Sequence, residues 1–141
     1  MLTLSSNNFL YKIHQYESRE WIKDNLLHRK NDLPAFEKTN GSRFWYQNGQ
    51  LHRENDLPAI ETLLGENEWY LFNERYIIQE NGTKEFIDDY GKLHRSKNLP
   101  AIEYSNGDKE WWVKGRRHRE NGPAVIIGDK QFWFEDGKFK H

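Results

Sequence analysis

His28-Arg29-Lys30-Asn31-Asp32-Leu33-Pro34-Ala35 is the first of four related stretches that decide how this chain folds. It returns as His52-Arg53-Glu54-Asn55-Asp56-Leu57-Pro58-Ala59, as His94-Arg95-Ser96-Lys97-Asn98-Leu99-Pro100-Ala101, and shortened as His118-Arg119-Glu120-Asn121-Gly122-Pro123-Ala124. The four prolines of the protein all lie in these copies. Successive histidines stand 24, 42 and 24 residues apart, so the middle interval has room for a weakened copy near Tyr76. A repeat of that length is the signature of stacked units, each unable to bury its apolar face alone.

An aromatic marker precedes each copy. Trp21, Trp45 and Trp111 stand seven residues before a histidine, as Trp69 does before Tyr76 and Trp133 before Lys140. In the fourth slot Phe86 and Ile87 both fit, because Asp88-Asp89 reads as a one-residue insertion. The repeats then run approximately 21–44, 45–68, 69–85, 86–110, 111–132 and 133–141, after an N-terminal capping strand within 1–20.

Two kinds of turn punctuate each repeat. Asn40-Gly41, Asn81-Gly82, Asn106-Gly107 and Gly128-Asp129 precede the marker; Asn48-Gly49, Lys114-Gly115 and Asp136-Gly137 follow it. Asn-Gly between alternating apolar and polar runs is a strong hairpin signal, so type I′ turns are expected at the first set. Pro ahead of Ala-Phe-Glu or Ala-Ile-Glu reads as the first residue of a strand, where its missing N–H does no harm. Glu17–Leu27 has the only helical character, and the aligned Trp21 makes it another strand. The expected fold is all-β: an elongated array of about six stacked antiparallel β-hairpins.

Composition agrees. The 141 residues have a mean hydropathy of −1.06 and 30% charged side chains, yet 15% are aromatic, with six Trp. Few aliphatic and many large amphipathic residues suit a thin array with aromatic rungs better than a compact ball. Lys and Arg number 21 against 22 Asp and Glu, which argues against a coat for nucleic acid or anionic membrane. Zero Cys excludes disulfides and cysteine nucleophiles. No apolar run approaches a membrane span, and Met1–Asn8 lacks the features of a signal peptide. The expectation is a soluble cytoplasmic protein.

Trp45-Tyr46-Gln47-Asn48-Gly49-Gln50-Leu51-His52, and Trp111 through Gly115 to His118, resemble the MORN repeat, a hairpin unit of about this length. Arg follows the His where Gly is usual, and Asn-Asp-Leu-Pro-Ala replaces the Gly-rich end. The chain is similar to the divergent MORN-like variety of bacteria, bacteriophages and large DNA viruses. That resemblance implies a protein-interaction scaffold. In a phage or virus, it implies an accessory protein of the host-cell cytoplasm that binds and blocks a host defence factor. Open sheet edges would also allow self-association.

The candidate residues divide by whether they recur. Trp21, Trp45, Trp69, Trp111 and Trp133 are expected as core rungs, rather than as a stacking platform for bases or sugars. The recurrent histidines cannot converge on one metal ion from separate repeats. They are expected as turn residues, bonded to their own repeat's backbone or to an adjacent acid. Arg29, Arg53, Arg95 and Arg119 are expected to form inter-repeat ion pairs with Glu37, Glu61 and Glu103, against a competing row of phosphate-binding guanidinium groups.

What breaks the repeat is the candidate binding surface. Trp112 adds a second Trp beside a rung, at the offset of Tyr46, Tyr70 and Phe134, forming an expected second aromatic stripe. Arg117 replaces Leu51 and Leu93, which points to a solvent-exposed place or an acidic neighbour. The expected partner-binding residues are Trp112, Lys114, Arg116, Arg117, Arg119, Tyr46 and Tyr70. No catalytic residue, metal or cofactor is expected, since no phosphate-cradling Gly loop, His-Glu-x-x-His or Gly-x-Ser-x-Gly is present. The expected function is non-enzymatic protein binding. Its alternative is nucleic acid or a phosphorylated ligand held by the basic and aromatic cluster at 111–119.

Overall fold

The computed structural model describes residues 2–6, 9–14 and 18–141, with the backbone pairing alone before Ser18. The described residues form strands and turns and no helix. The chain divides into two units, Met1–Asn73 and Glu74–His141.

In the first unit the antiparallel order is Leu2–Ser6, Phe9–His14, Ser18–Lys23, Phe36–Lys38, Arg43–Phe44, Ile60–Glu61. Part of the expected capping segment and Glu17 lie outside the described residues. Ser18–Lys23 is a strand, with Tyr11 opposite Trp21, as the alignment of Trp21 required. In the second unit Glu74–Ile78, Lys84–Ile87, Ile102–Glu103, Lys109–Glu110, Val125–Ile127 and Lys130–Phe132 follow one another antiparallel. Small two-stranded hairpins stand beside these sheets: Tyr46–Gln47 with Gln50–Leu51, Trp112–Val113 with Arg116–Arg117, and Phe134–Glu135 with Lys138–Phe139.

The aromatic marker is the corner between the two kinds of sheet. Trp45 separates Arg43–Phe44 from Tyr46–Gln47, and Trp111 separates Lys109–Glu110 from Trp112–Val113. Its backbone is bonded in both directions. Trp45 N–H donates to the Ala59 carbonyl at 2.8 Å, and its own carbonyl accepts the His52 N–H at 3.1 Å. Trp21, Phe86 and Trp111 repeat this with Ala35 and His28, Ala101 and His94, and Ala124 and His118. The fourth rung is therefore Phe86. The extra residue after it is absorbed in a turn where Asp88 Oδ1 accepts the N–H groups of Tyr90 and Lys92.

All four repeated alanines are fully buried, with Trp45 and Trp111 nearly so. Ala35, Ala59 and Ala124 also donate their N–H to the residue just before the next rung: Phe44, Glu68 and Phe132. A larger side chain would be forced into space the sheet already fills. Tyr76 explains the irregular middle interval. Glu74–Ile78 enters its sheet directly, without a His-Arg-x-Asn-x-Leu-Pro loop, and Tyr76 sits opposite Phe86 with ring centroids 5.1 Å apart. It takes the place that alanine holds elsewhere, and the 42-residue gap reflects that missing loop.

Two turn expectations are corrected. At Asn40-Gly41, Asn81-Gly82 and Asn106-Gly107 only the glycine has positive φ, between 86° and 95°. Gly41 N–H reaches the Lys38 carbonyl, and Lys38 N–H reaches the Ser42 carbonyl. That is a three-residue loop closed by a glycine bulge, not a type I′ turn. The asparagine is there for its side chain: Asn40 Oδ1 accepts the Ser42 N–H, and Asn81 and Asn106 do the same for Thr83 and Asp108. The type I′ pattern belongs to the second set, where Asn48 and Gly49 have φ of 48° and 79° and Lys114 and Gly115 match them. The prolines are corrected too. Strands begin two residues after each one, at Phe36, Ile60, Ile102 and Val125.

Candidate partner-binding site

The repeated histidine joins one repeat to the next. Nδ1 of His28, His52, His94 and His118 accepts the backbone N–H of Asn48, Phe72, Lys114 and Asp136, at 3.1–3.2 Å. Each acceptor bond lands on the first residue of the following type I′ turn. The next hairpin, rather than the histidine's own backbone, supplies this bond, because that turn points an otherwise unpaired N–H toward the imidazole. The adjacent acid is met at His52, whose Nε2 stands 3.6 Å from Glu54 Oε1. Burial, and then the charges of Lys23 and Lys30, hold the His28 pKa below its ordinary value against the opposing pull of Asp24.

The repeated arginine lies flat on the rung. The guanidinium carbon is 3.6–3.8 Å from the ring centroid for Arg29 on Trp21, Arg53 on Trp45, Arg95 on Phe86 and Arg119 on Trp111. Each Nη1 donates to the proline carbonyl of its own loop, at 3.0–3.2 Å. The expected pairs with glutamate form, but inside one repeat: Arg29 with Glu37 at 3.9 Å, Arg53 with Glu61 at 2.9 Å, Arg95 with Glu103 at 2.7 Å. The inter-repeat partners are Asp32 for Arg53 and Glu74 for Arg95. For Arg53, burial alone would lower the pKa, and the bonds and charges of Asp32 and Glu61 outweigh it and raise it.

Rung indoles add a further bond between repeats. Nε1 of Trp45, Trp69 and Trp111 donates to the carbonyl of Asp32, Asp56 and Asn98, each at 3.0 Å. Ring, guanidinium and loop carbonyl thus hold one another in place.

The non-recurrent residues are placed less uniformly than the sequence implied. Trp112 and Arg117 face each other across the Trp112–Val113 and Arg116–Arg117 hairpin and share one acceptor, Glu110. Glu110 Oε2 receives Trp112 Nε1 at 2.8 Å and Arg117 Nε at 3.0 Å, while Oε1 receives the Tyr104 hydroxyl at 2.9 Å. Glu110 is buried. The acidic neighbour expected of Arg117 is therefore in its own chain, and Trp112 is half-buried rather than displayed. Tyr46 and Tyr70, in the first unit, are half-buried as well, and the Tyr70 hydroxyl donates to Glu68. Lys114 and Arg116 are exposed, and Arg119 is half-buried.

Beside Arg119 an open cleft of about 250 Å³ is lined by Lys97, Asn98, Trp111, Trp112, Arg119 and Glu120, among others. Lys97 and Asn98 were not among the expected site residues. Their signal was legible in the repeat, where Asn31-Asp32 and Asn55-Asp56 give way to Lys97-Asn98. No helix among the described residues is long and apolar enough to cross a membrane. Comparison with known protein families, curated proteins and solved structures gives no match to this chain.

Proposed function

We propose that the chain is a non-enzymatic protein-interaction module, in which recurrent residues build the scaffold and non-recurrent ones meet a protein partner. The observation that carries this reading is the set of four histidine Nδ1 atoms, each used to hold the next repeat's turn. A side chain committed at every repeat to the same backbone bond serves the framework. The surface left to vary includes exposed Lys114 and Arg116 on the Trp112 hairpin. The MORN-like reading, a phage or viral origin and a host defence factor as partner belong to the same proposal.

The test is affinity purification from the cells in which the chain is made, comparing the parent with the Lys114→Glu, Arg116→Glu double variant. A protein recovered in stoichiometric amount with the parent and lost with the variant is the expected result. Turnover in a broad hydrolase screen, abolished by one histidine substitution but not by its equivalents in other repeats, would overturn the reading.

A second reading, nucleic acid or a phosphorylated ligand, draws on the same exposed Lys114 and Arg116. It loses Arg117, whose charge is met by Glu110. Phosphate binding weakens steeply with salt, so oligonucleotide binding absent even at low salt removes this reading.

A further inference from the structure

Arg119 differs from its counterparts in having no carboxylate partner among the described residues. Arg53 grips Asp32 with Nε at 2.8 Å and Nη2 at 3.1 Å, and Glu61 with Nη1 at 2.9 Å. Arg95 has Glu103 and Glu74, and Arg29 has Glu37. At the positions matching Asp32 and Glu61, the preceding repeat carries Asn98 and the Arg119 repeat carries Ile126. The registers confirm the second match, since Glu61 lies opposite Arg43 and Ile126 lies opposite Lys109. Arg119 keeps the rest of the arrangement: the stack on Trp111, Nη1 on the Pro123 carbonyl, and Nε on Asn98 Oδ1 at 3.3 Å. Its Nη2 has no hydrogen-bond partner among the described residues.

The surroundings have changed in the same sense. The corresponding cleft of the first unit is lined by Asn31, Asp32, Arg53 and Glu54, so its arginine is neutralised from within. Here Lys97 and Asn98 replace Asn31 and Asp32, which removes one negative charge and adds one positive charge. Glu120 also lines the cleft, but it forms no ion pair with Arg119. A half-buried cation without a counter-ion is unfavourable, and burial holds the Arg119 pKa below its ordinary value. An arginine fork recognises a carboxylate through two parallel N–H bonds, as Arg53 does with Asp32.

We propose that this cleft accepts a carboxylate side chain from an acidic segment of a protein partner, seated on the open Nη2 of Arg119 with Lys97 lining the same cleft. The inference deepens the interaction-module reading and rests on it. A carboxylate is favoured over a phosphate because in the sister cleft the matching Nη2 of Arg53 already holds one.

The test restores the missing internal partner. Asn98→Asp is nearly isosteric and rebuilds the Arg53–Asp32 pair on Arg119, while Ile126→Glu rebuilds the Glu61 contact independently. A terminally blocked hexaglutamate peptide is titrated against the parent and both variants at low salt, followed by calorimetry and by Trp fluorescence. The expected result is saturable binding to the parent and at least a tenfold loss in Asn98→Asp, with an equal or higher melting temperature and a smaller loss in Ile126→Glu. Inorganic phosphate and a short single-stranded RNA serve as comparison arms. Absence of saturable peptide binding, undiminished binding to Asn98→Asp, or tighter binding of phosphate or RNA than of peptide would each overturn the proposal. Affinity purification separates the two levels. A protein partner still held by Asn98→Asp sinks the cleft and leaves the module standing. Peptide binding without any co-purifying protein does the reverse.

Discussion

His52 and Phe72 meet twice: the imidazole Nδ1 accepts the Phe72 N–H at 3.2 Å, and the two rings stack with centroids 3.9 Å apart. Phe72 is the first residue of a turn with φ of 47°, a left-handed conformation that bulky side chains rarely adopt. The histidine thus holds a turn that its own residues disfavour. His52→Ala removes both contacts and leaves a backbone N–H without its acceptor. A loss of about 1–3 kcal/mol is expected, read as a lower urea midpoint.

Trp45 concentrates more of the framework. It is buried, donates Nε1 to the Asp32 carbonyl, and carries Arg53 on its face. Trp45→Ala should cost about 3–5 kcal/mol. A variant melting within a degree or two of the parent would contradict the assignment of Trp45 as a rung.

Stability should fall on acidification. The His28 pKa is lowered in the folded protein, so the unfolded chain binds the proton more readily. The stabilisation is complete above the ordinary histidine value of about 6.5 and disappears as pH falls through the lowered folded value. Melting temperature should therefore drop between neutral and mildly acidic pH, and His28→Ala should shrink that drop. An unchanged pH dependence in the variant would refute this role of His28.

Glu110 is the hub of the Trp112 hairpin. Burial, followed by the bond to and charge of Glu110, pushes the Tyr104 pKa up to about 12. Glu110→Gln should return it toward the usual value of about 10, as read from the tyrosine ring carbons by NMR. Trp112→Ala with Arg117→Ala should also weaken the fold, by about 1–3 kcal/mol, because a buried carboxylate loses two of its three donors. Parental stability in that double variant would show that the hub carries no structural load.

The sequence made the framework legible where a residue type has one physical use. Asn40-Gly41, Asn48-Gly49, Asn81-Gly82 and Asn106-Gly107 each marked a hairpin turn, and the Trp-to-His spacing located rungs at Trp21, Trp45 and Trp111. Which turn was type I′ was hidden, because asparagine serves equally through its side-chain oxygen, as Asn40 does, and through its backbone, as Asn48 does. The histidine's partner was hidden for another reason. The bond from Asn48 to His28 spans twenty residues, and only pairing of the strands brings the two together. At the candidate site, Arg119 was visible as part of a basic cluster. That it differs from the other repeated arginines in having no acid among the described residues became clear once Asp32 and Glu61 were seen on Arg53. Arg117, read as exposed or beside an acid, has its acid seven residues back.

The central claim is that the repeated histidines act as hydrogen-bond acceptors joining successive repeats, and nitrogen-15 NMR tests it most directly. Nδ1 of His28, His52, His94 and His118 should each show the nitrogen-15 signature of a hydrogen-bond acceptor. Each should also show scalar coupling across the hydrogen bond to the amide nitrogen of Asn48, Phe72, Lys114 or Asp136 respectively. Protons on Nδ1, or amide couplings to none of these four nitrogens, would contradict the account.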